Sequence, residues 1–142
     1  LCSIRRKNMK QDARSVLKLE KLVFDKLLFE RKGFSSENNF EFNMESQISK
    51  RSNEEIYKVT LILHGKKPDE YIMEISLTGF FSFGTDTSIS DEDKKELISK
   101  NTLAILMPYL RSEVSILTAQ PEVECIVLPP FNINNLMGEA RE

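Results

Sequence analysis

The chain has 142 residues, a net charge of −2, and 40% hydrophobic and 30% charged residues. That suits one ordinary globular domain able to bury a core without disulfide staples, and the near-zero charge gives no reason to expect nucleic acid binding. No apolar run approaches the roughly 18 residues of a membrane helix, so no membrane span is expected.

Charge is uneven along the chain. Residues 1–32 hold ten Lys/Arg against four Asp/Glu, and the remainder holds ten against eighteen. This reads as a solvated basic leader before a mildly acidic domain, or as an acidic docking face for a basic partner. Cys2 and Cys125 have no CxxC spacing, and a reduced cytosolic chain is the simpler reading. LCSIRRKN has no long apolar segment after its charges and is not a secretory signal, which makes the cytoplasm the expected compartment. The chain opens on Leu1, and Met9 is an alternative start.

Residues 1–15 are polar and basic and are expected to be weakly ordered, which leaves 16–142 as a single domain. VLKLEKLVFDKLLFERKG, from Val16 to Gly33, opens with helical character. It then turns strand-like through Val23, Phe24, Leu27, Leu28 and Phe29, and helix and strand both remain open. GFSSENN is a loop by composition. FEFNMESQIS alternates: Phe40, Phe42, Met44, Ser46 and Ile48 share one face, and Glu41, Asn43, Glu45 and Gln47 the other, as in a half-buried strand. In IYKVTLILHG, Tyr57, Val59, Leu61 and Leu63 share one face, with Ile56, Lys58, Thr60, Ile62 and His64 opposite. YIMEISLTGFFSF makes a fourth strand, in which Gly79 suggests a bulge or a close backbone approach. Four strands joined by short turns favour an antiparallel meander.

Ser90, with Asp93 three residues on, resembles a capping box, and Asp91, Glu92 and Asp93 complement the helix dipole. The helix is expected to run to about Thr118, with an apolar stripe of Leu103, Leu106, Met107, Leu110, Val114 and Leu117, and to be closed by Pro121. Pro108 lies inside it and should bend it near Ala104. CIVLPPF reads as extended, and INNLMGEARE as a short terminal helix. The predicted fold class is α+β: a four-stranded antiparallel meander packed by one long and one short C-terminal helix.

Little here points to catalysis. His64 is the single histidine, and with two separated cysteines it makes no zinc site. G-x-S-x-G, P-loop and G-x-G-x-x-G motifs are absent. No enzyme, metal or cofactor is expected. The apolar residues exceed what one helix covers, which points to an interface or a ligand groove.

The C-terminal third, NTLAILMPYLRSEVSILTAQPEVECIVLPPFNINNLM, with Pro108-Tyr109-Leu110-Arg111 inside its helix, resembles the SecB family of protein-export chaperones. The family's helical N-I-L-F-P-Y-x-R-E core reads here Ala104-Ile105-Leu106-Met107-Pro108-Tyr109-Leu110-Arg111-Ser112-Glu113. Its L-x-P-x-N-F crossover reads Leu128-Pro129-Pro130-Phe131-Asn132-Ile133. GFFSF, and more weakly VFDKLLFE and FEFNME, extend the likeness over roughly residues 20–137. The resemblance implies an ATP-independent holding chaperone that binds non-native preproteins and passes them to SecA, acting as a homotetramer, a dimer of dimers. It implies a client groove lined by Phe40, Phe42, Met44, Leu128, Phe131 and Leu136, and a SecA-contacting face with Glu30, Met73 and Glu74. It implies an oligomer interface built on Leu106, Pro108, Tyr109, Leu110, Val114 and Leu117. Lys26 stands where the first strand of the family carries another acid, so the SecA face is only partly kept. The tail to Glu142 leaves room for only a short second helix. SecB-like proteins that stabilise an antitoxin in a toxin–antitoxin system are the alternative, and a small-ligand-binding α+β module is the competing class.

Overall fold

The computed structural model describes residues 17–50, 55–83 and 90–130. Four strands precede one helix: β1 (Leu17–Arg31), β2 (Glu41–Lys50), β3 (Ile56–Lys67), β4 (Tyr71–Phe83) and α1 (Asp91–Thr118). The strands form one antiparallel sheet, so the α+β class with a long covering helix is the observed one. The leader and the INNLMGEARE segment lie outside the described residues.

The strand order, β1-β4-β3-β2, departs from the expected meander. Only β2, β3 and β4 follow one another; β1 sits at the far edge against β4, a Greek-key order. The reason is the length of the first connection. Residues 32–40 separate β1 from β2, whereas 68–70 alone separate β3 from β4. Crossing from one edge to the other spans about 14 Å at ~4.8 Å per strand, and nine extended residues reach about 30 Å. The first connection therefore crosses the end of the sheet as a strap.

The ambiguity of 16–33 resolves as strand. β1 carries two irregularities, between Leu19 and Lys21 and between Phe24 and Lys26. Each inserts a residue, so the positions facing the helix are Leu17, Leu19, Leu22, Phe24, Leu27 and Phe29. Their spacing alternates between two and three residues, which imitates helical periodicity in the sequence.

The core forms where α1 lies on β3 and β4. Val59, Leu61, Leu63, Ile75, Leu77 and Phe81 meet Ile98, Leu103, Leu106, Met107, Leu110 and Val114, all buried. Thr102 and Thr118 are buried too, each bonding its hydroxyl to a carbonyl one turn back, of Ile98 and Val114. Gly79 marks a close approach and not a bulge: a Cβ there would lie 2.9 Å from Leu106 Cδ2.

The Ser90 cap forms as expected, its Oγ accepting from the Asp93 N–H at 3.2 Å. The helix continues through Pro108 to Thr118. Pro108 and Ala104 are both exposed, so the carbonyl left without its donor borders water. After α1 the chain turns at Glu122 (φ 63°) and runs back extended beside the helix. The Ile126 N–H donates to Thr118 Oγ1 (2.8 Å), Ser115 Oγ to the Ile126 carbonyl (2.9 Å), and Arg111 Nε to the Leu128 carbonyl (3.2 Å).

The strap is clamped at the β3–β4 turn. Lys32 and Gly33 N–H groups donate to the Glu70 carbonyl at 2.8 and 3.0 Å, and the Ser36 N–H donates to Glu70 Oε1 at 3.0 Å. Ser36 Oγ and Asn38 Nδ2 donate to the Pro68 carbonyl. Any side chain at Gly33 would meet the Asp69 carbonyl oxygen. The Glu70 carboxylate is 1% exposed and lies 3.2 Å from Lys67 Nζ. Burial alone would raise its pKa. The Ser36 N–H, the hydrogen bond and charge of Lys67, and the charge of Arg31 outweigh that and hold it below the usual carboxylate range. A carboxyl with a lowered folded pKa contributes stability above its unfolded value and loses it as pH falls through the folded one. In thermal melts, the stability gap between wild type and Glu70→Gln is expected to be constant above about pH 5 and to narrow steadily below about pH 4. A gap independent of pH would count against the clamp.

Candidate functional groove

The helix is narrower than the sheet it covers. Its long axis rests on β3 and β4, and the same face of β2 and the residue before it is left half-buried: Phe40, Phe42, Met44 and Ser46, with Ile48 more exposed. The strict alternation of β2 puts all five on one side, opposite Glu41, Asn43, Glu45 and Gln47, as its sequence predicts.

At the strapped end this strip joins an aromatic row. Phe29 of β1 stacks on Tyr71 of β4 at 4.7 Å between ring centroids. Tyr71 meets Phe40 at 6.3 Å, and Phe40 stacks on Phe42 at 5.9 Å. Gly65 makes room for this row, since a Cβ there would sit 2.6 Å from Phe40 Cζ. At the other end the strip opens into a cleft of about 490 Å³ between β2 and the first half of α1. Ile48, Lys50, Tyr57, Lys95 and Ile98 line that cleft. From Phe40 to Ile48 the strip is about 27 Å long at ~3.4 Å per residue, the reach of an extended segment of eight or nine residues.

Phe40, Phe42 and Met44 are thus brought together as expected. Leu128 joins the same core but is 2% exposed, so it offers a client no open surface. Phe131 and Leu136 lie outside the described residues. Sequence reasoning missed Tyr71, Gly65 and Glu70: in KKPDEY the acid reads as a solvated turn residue, and only the crossing of the strap buries it.

Tyr71 is itself buried, and its hydroxyl has no hydrogen-bond partner among the described residues. Burial, with the charges of Glu70 and Glu124, pushes that hydroxyl up to about 12. An unpaired buried hydroxyl costs about 1–3 kcal/mol. Tyr71→Phe is therefore expected to leave stability unchanged or raise it by up to about 1 kcal/mol in denaturant titrations. A loss above that would mean the hydroxyl is satisfied by water.

The residues expected on a SecA-like face do not share one. Glu30 and Glu74 point to the open side of the sheet, while Met73, one position along the pleat, is 2% exposed on the helix side. Glu74 is engaged within the chain: Lys26 Nζ lies 2.8 Å and His64 Nδ1 3.2 Å from its oxygens. The Lys26 hydrogen bond, opposed by partial burial and helped by the charges of Lys26 and His64, holds this carboxyl below its usual range. His64 also lies 3.6 Å from Glu45, and Glu30 pairs with Lys32 at 2.7 Å. Among the described residues, no group of three or more His, Cys, Asp or Glu side chains could hold a metal ion. No helix there is long and apolar enough to cross a membrane.

The expected oligomer stripe splits in two. Leu106, Leu110 and Val114 are fully buried against the chain's own sheet and leave no surface for a partner, and Leu117 is half-buried. Leu106, Leu110 and Val114 do not present the assembly surface expected of them, because the apolar faces of β3 and β4 claim them first. Pro108 is exposed, as are Tyr109 (44%) and Ile116 (62%), and these lie on the outer side of α1.

No family model matches the chain. An uncharacterised protein of Methanocaldococcus jannaschii is 26% identical over 106 residues, covering 70% of this chain and 66% of that protein, so the match spans just under two thirds of the relative's length. Among solved structures, the SecB-like chaperone Rv1957 of Mycobacterium tuberculosis, in complex with a ChAD peptide from the Rv1956 HigA1 antitoxin, aligns with a TM-score of 0.69 at 10% identity. It covers 92% of this chain and 99% of its own. A protein of unknown function from Streptococcus agalactiae aligns with a TM-score of 0.48 at 11% identity, over 80% of this chain and 96% of its own. The chain has a SecB-like fold.

Proposed function

We propose that this chain with a SecB-like fold is an ATP-independent cytoplasmic holding chaperone for extended apolar segments, and that its client is of the antitoxin type. The half-buried row Phe40, Phe42 and Met44 beside α1 carries this reading. Folded proteins hide such segments, so a groove for them selects non-native chains and opposes their collapse by mass action. Three or four docked side chains contribute about 5–12 kcal/mol gross at 1.5–3 kcal/mol each, against ordering costs of several kcal/mol. A single groove is then weak and promiscuous, and several on one assembly add avidity. The exposed Pro108, Tyr109 and Ile116 supply a surface for a homotetramer.

Two observations favour an antitoxin over a preprotein bound for SecA. The likeness in fold is to a chaperone solved with an antitoxin peptide. On the open face, Lys26, which stands where the resemblance to the SecB family implies an acid, engages Glu74 and leaves less free negative charge for a basic motor domain to meet. The discriminating experiment incubates the purified chain with an aggregating unfolded protein, with an antitoxin tail peptide, and with SecA. Suppressed aggregation and peptide binding without SecA binding support the reading. SecA binding would restore the export role. A small molecule retained one per chain in native mass spectra, with no hold on unfolded protein, would overturn it in favour of a ligand-binding module.

A further inference from the structure

Phe40 begins the apolar row yet precedes β2, and no ladder pair holds it. Its ring packs on Phe42 and Tyr71, and its backbone is placed by the strap before it, which hangs on Glu70. Ser36 donates its N–H to Glu70 Oε1, Lys32 and Gly33 donate to the Glu70 carbonyl, and Asn38 Nδ2 bonds the Pro68 carbonyl (2.8 Å) and Asp69 Oδ2 (3.3 Å). The same buried pair also reaches the crossover. Lys67 Nζ lies 3.2 Å from Glu70 and 3.9 Å from Glu124, on the crossover that leads to Leu128. Arg31 Nη2 donates to the Glu122 carbonyl at 3.4 Å and Nη1 to the Gly33 carbonyl at 2.9 Å, tying crossover and strap a second time. A buried carboxylate is a costly way to hold a surface loop, because its desolvation must be offset by its partners. Its geometry gains something else: one node that ties the strap to the β3–β4 turn, with weaker ties to the crossover.

We propose that the buried Glu70–Lys67 pair is the positioning hub of the groove's strapped end: it fixes the strap that carries Phe40, and so sets how firmly a client's apolar side chain is gripped. This rests on the chaperone reading of the same groove.

The test is a double-mutant cycle on the full chain, with fluorescein-labelled, reduced and carboxymethylated lactalbumin as the unfolded probe and affinity read by anisotropy. Phe40→Ala and Glu70→Gln are each expected to weaken binding about tenfold, and the double variant no more than about twentyfold, because both remove the same placed ring. Circular dichroism should show the sheet and α1 retained in all three. A merely structural role for Glu70 predicts independent losses near a hundredfold in the double variant, and that result overturns the hub, as does wild-type affinity in Glu70→Gln. Should Glu70→Gln fail to fold, Asn38→Ala, exposed and outside the sheet, is expected to reproduce part of the loss non-additively with Phe40→Ala; additive losses there overturn the hub equally. If wild type binds and Phe40→Ala weakens it while neither strap variant does, only the hub falls. If wild type binds no unfolded probe, the chaperone reading falls with it.

Discussion

Phe40→Asp combined with Phe42→Asp is expected to abolish suppression of client aggregation while leaving the sheet intact. Each ring contributes about 1.5–3 kcal/mol of apolar burial to a docked client. Replacing both with carboxylates removes that and sets two charges where apolar client residues must desolvate them. A combined loss of at least about 4 kcal/mol corresponds to roughly a thousandfold in affinity, which exceeds what one promiscuous groove retains. The rings stack on each other and on Tyr71 but stay half-buried at the sheet margin, so folding should tolerate the change better than a core substitution. Light scattering of an aggregating client reads the effect. Full suppression by the double variant, with normal circular dichroism, would place the client surface elsewhere, and the cleft between β2 and the start of α1 would be next to test.

Leu106→Ala should lower unfolding free energy by about 2–5 kcal/mol, because the site is closed on all sides and leaves a cavity. Leu106 is fully buried, and its Cδ2 lies over Gly79, where no Cβ fills the space. Denaturant titration of the isolated chain measures this loss, and it should not depend on protein concentration. Tyr109→Asp with Ile116→Asp is the matched control. Both side chains are exposed on the outer side of α1, so this pair is expected to dissociate any assembly in light scattering and leave the unfolding free energy within about 1 kcal/mol. If Leu106→Ala instead dissociated an assembly without destabilising the chain, the proposed division of α1 into an inward core face and an outward face for assembly would be wrong.

Much of this fold was legible in the sequence, for physical reasons that vary by element. β2 and β3 alternate without interruption, so period two assigned both their faces, and the Ser90–Asp93 cap needs only local geometry. β1 was not legible, because its two irregularities turn a two-residue period into one resembling a helix. The apolar row of the groove followed from β2 alone, but its aromatic floor did not: Tyr71, Phe29 and Gly65 come from three strands that only the sheet registers.

Residue order and polarity by themselves determined that β2, β3 and β4 are strands, where the helix begins and ends, and that apolar surface exceeds a single helix. Those properties depend on neighbours within a few positions, where spacing and capping act. The tertiary structure alone decided that β1 joins β4 and not β2, that Leu106, Leu110 and Val114 belong to the chain's own core, and that an acid in a polar turn is buried under a crossing strap. Each depends on which distant segment arrives first to cover a surface, and a linear pattern carries no term for that competition.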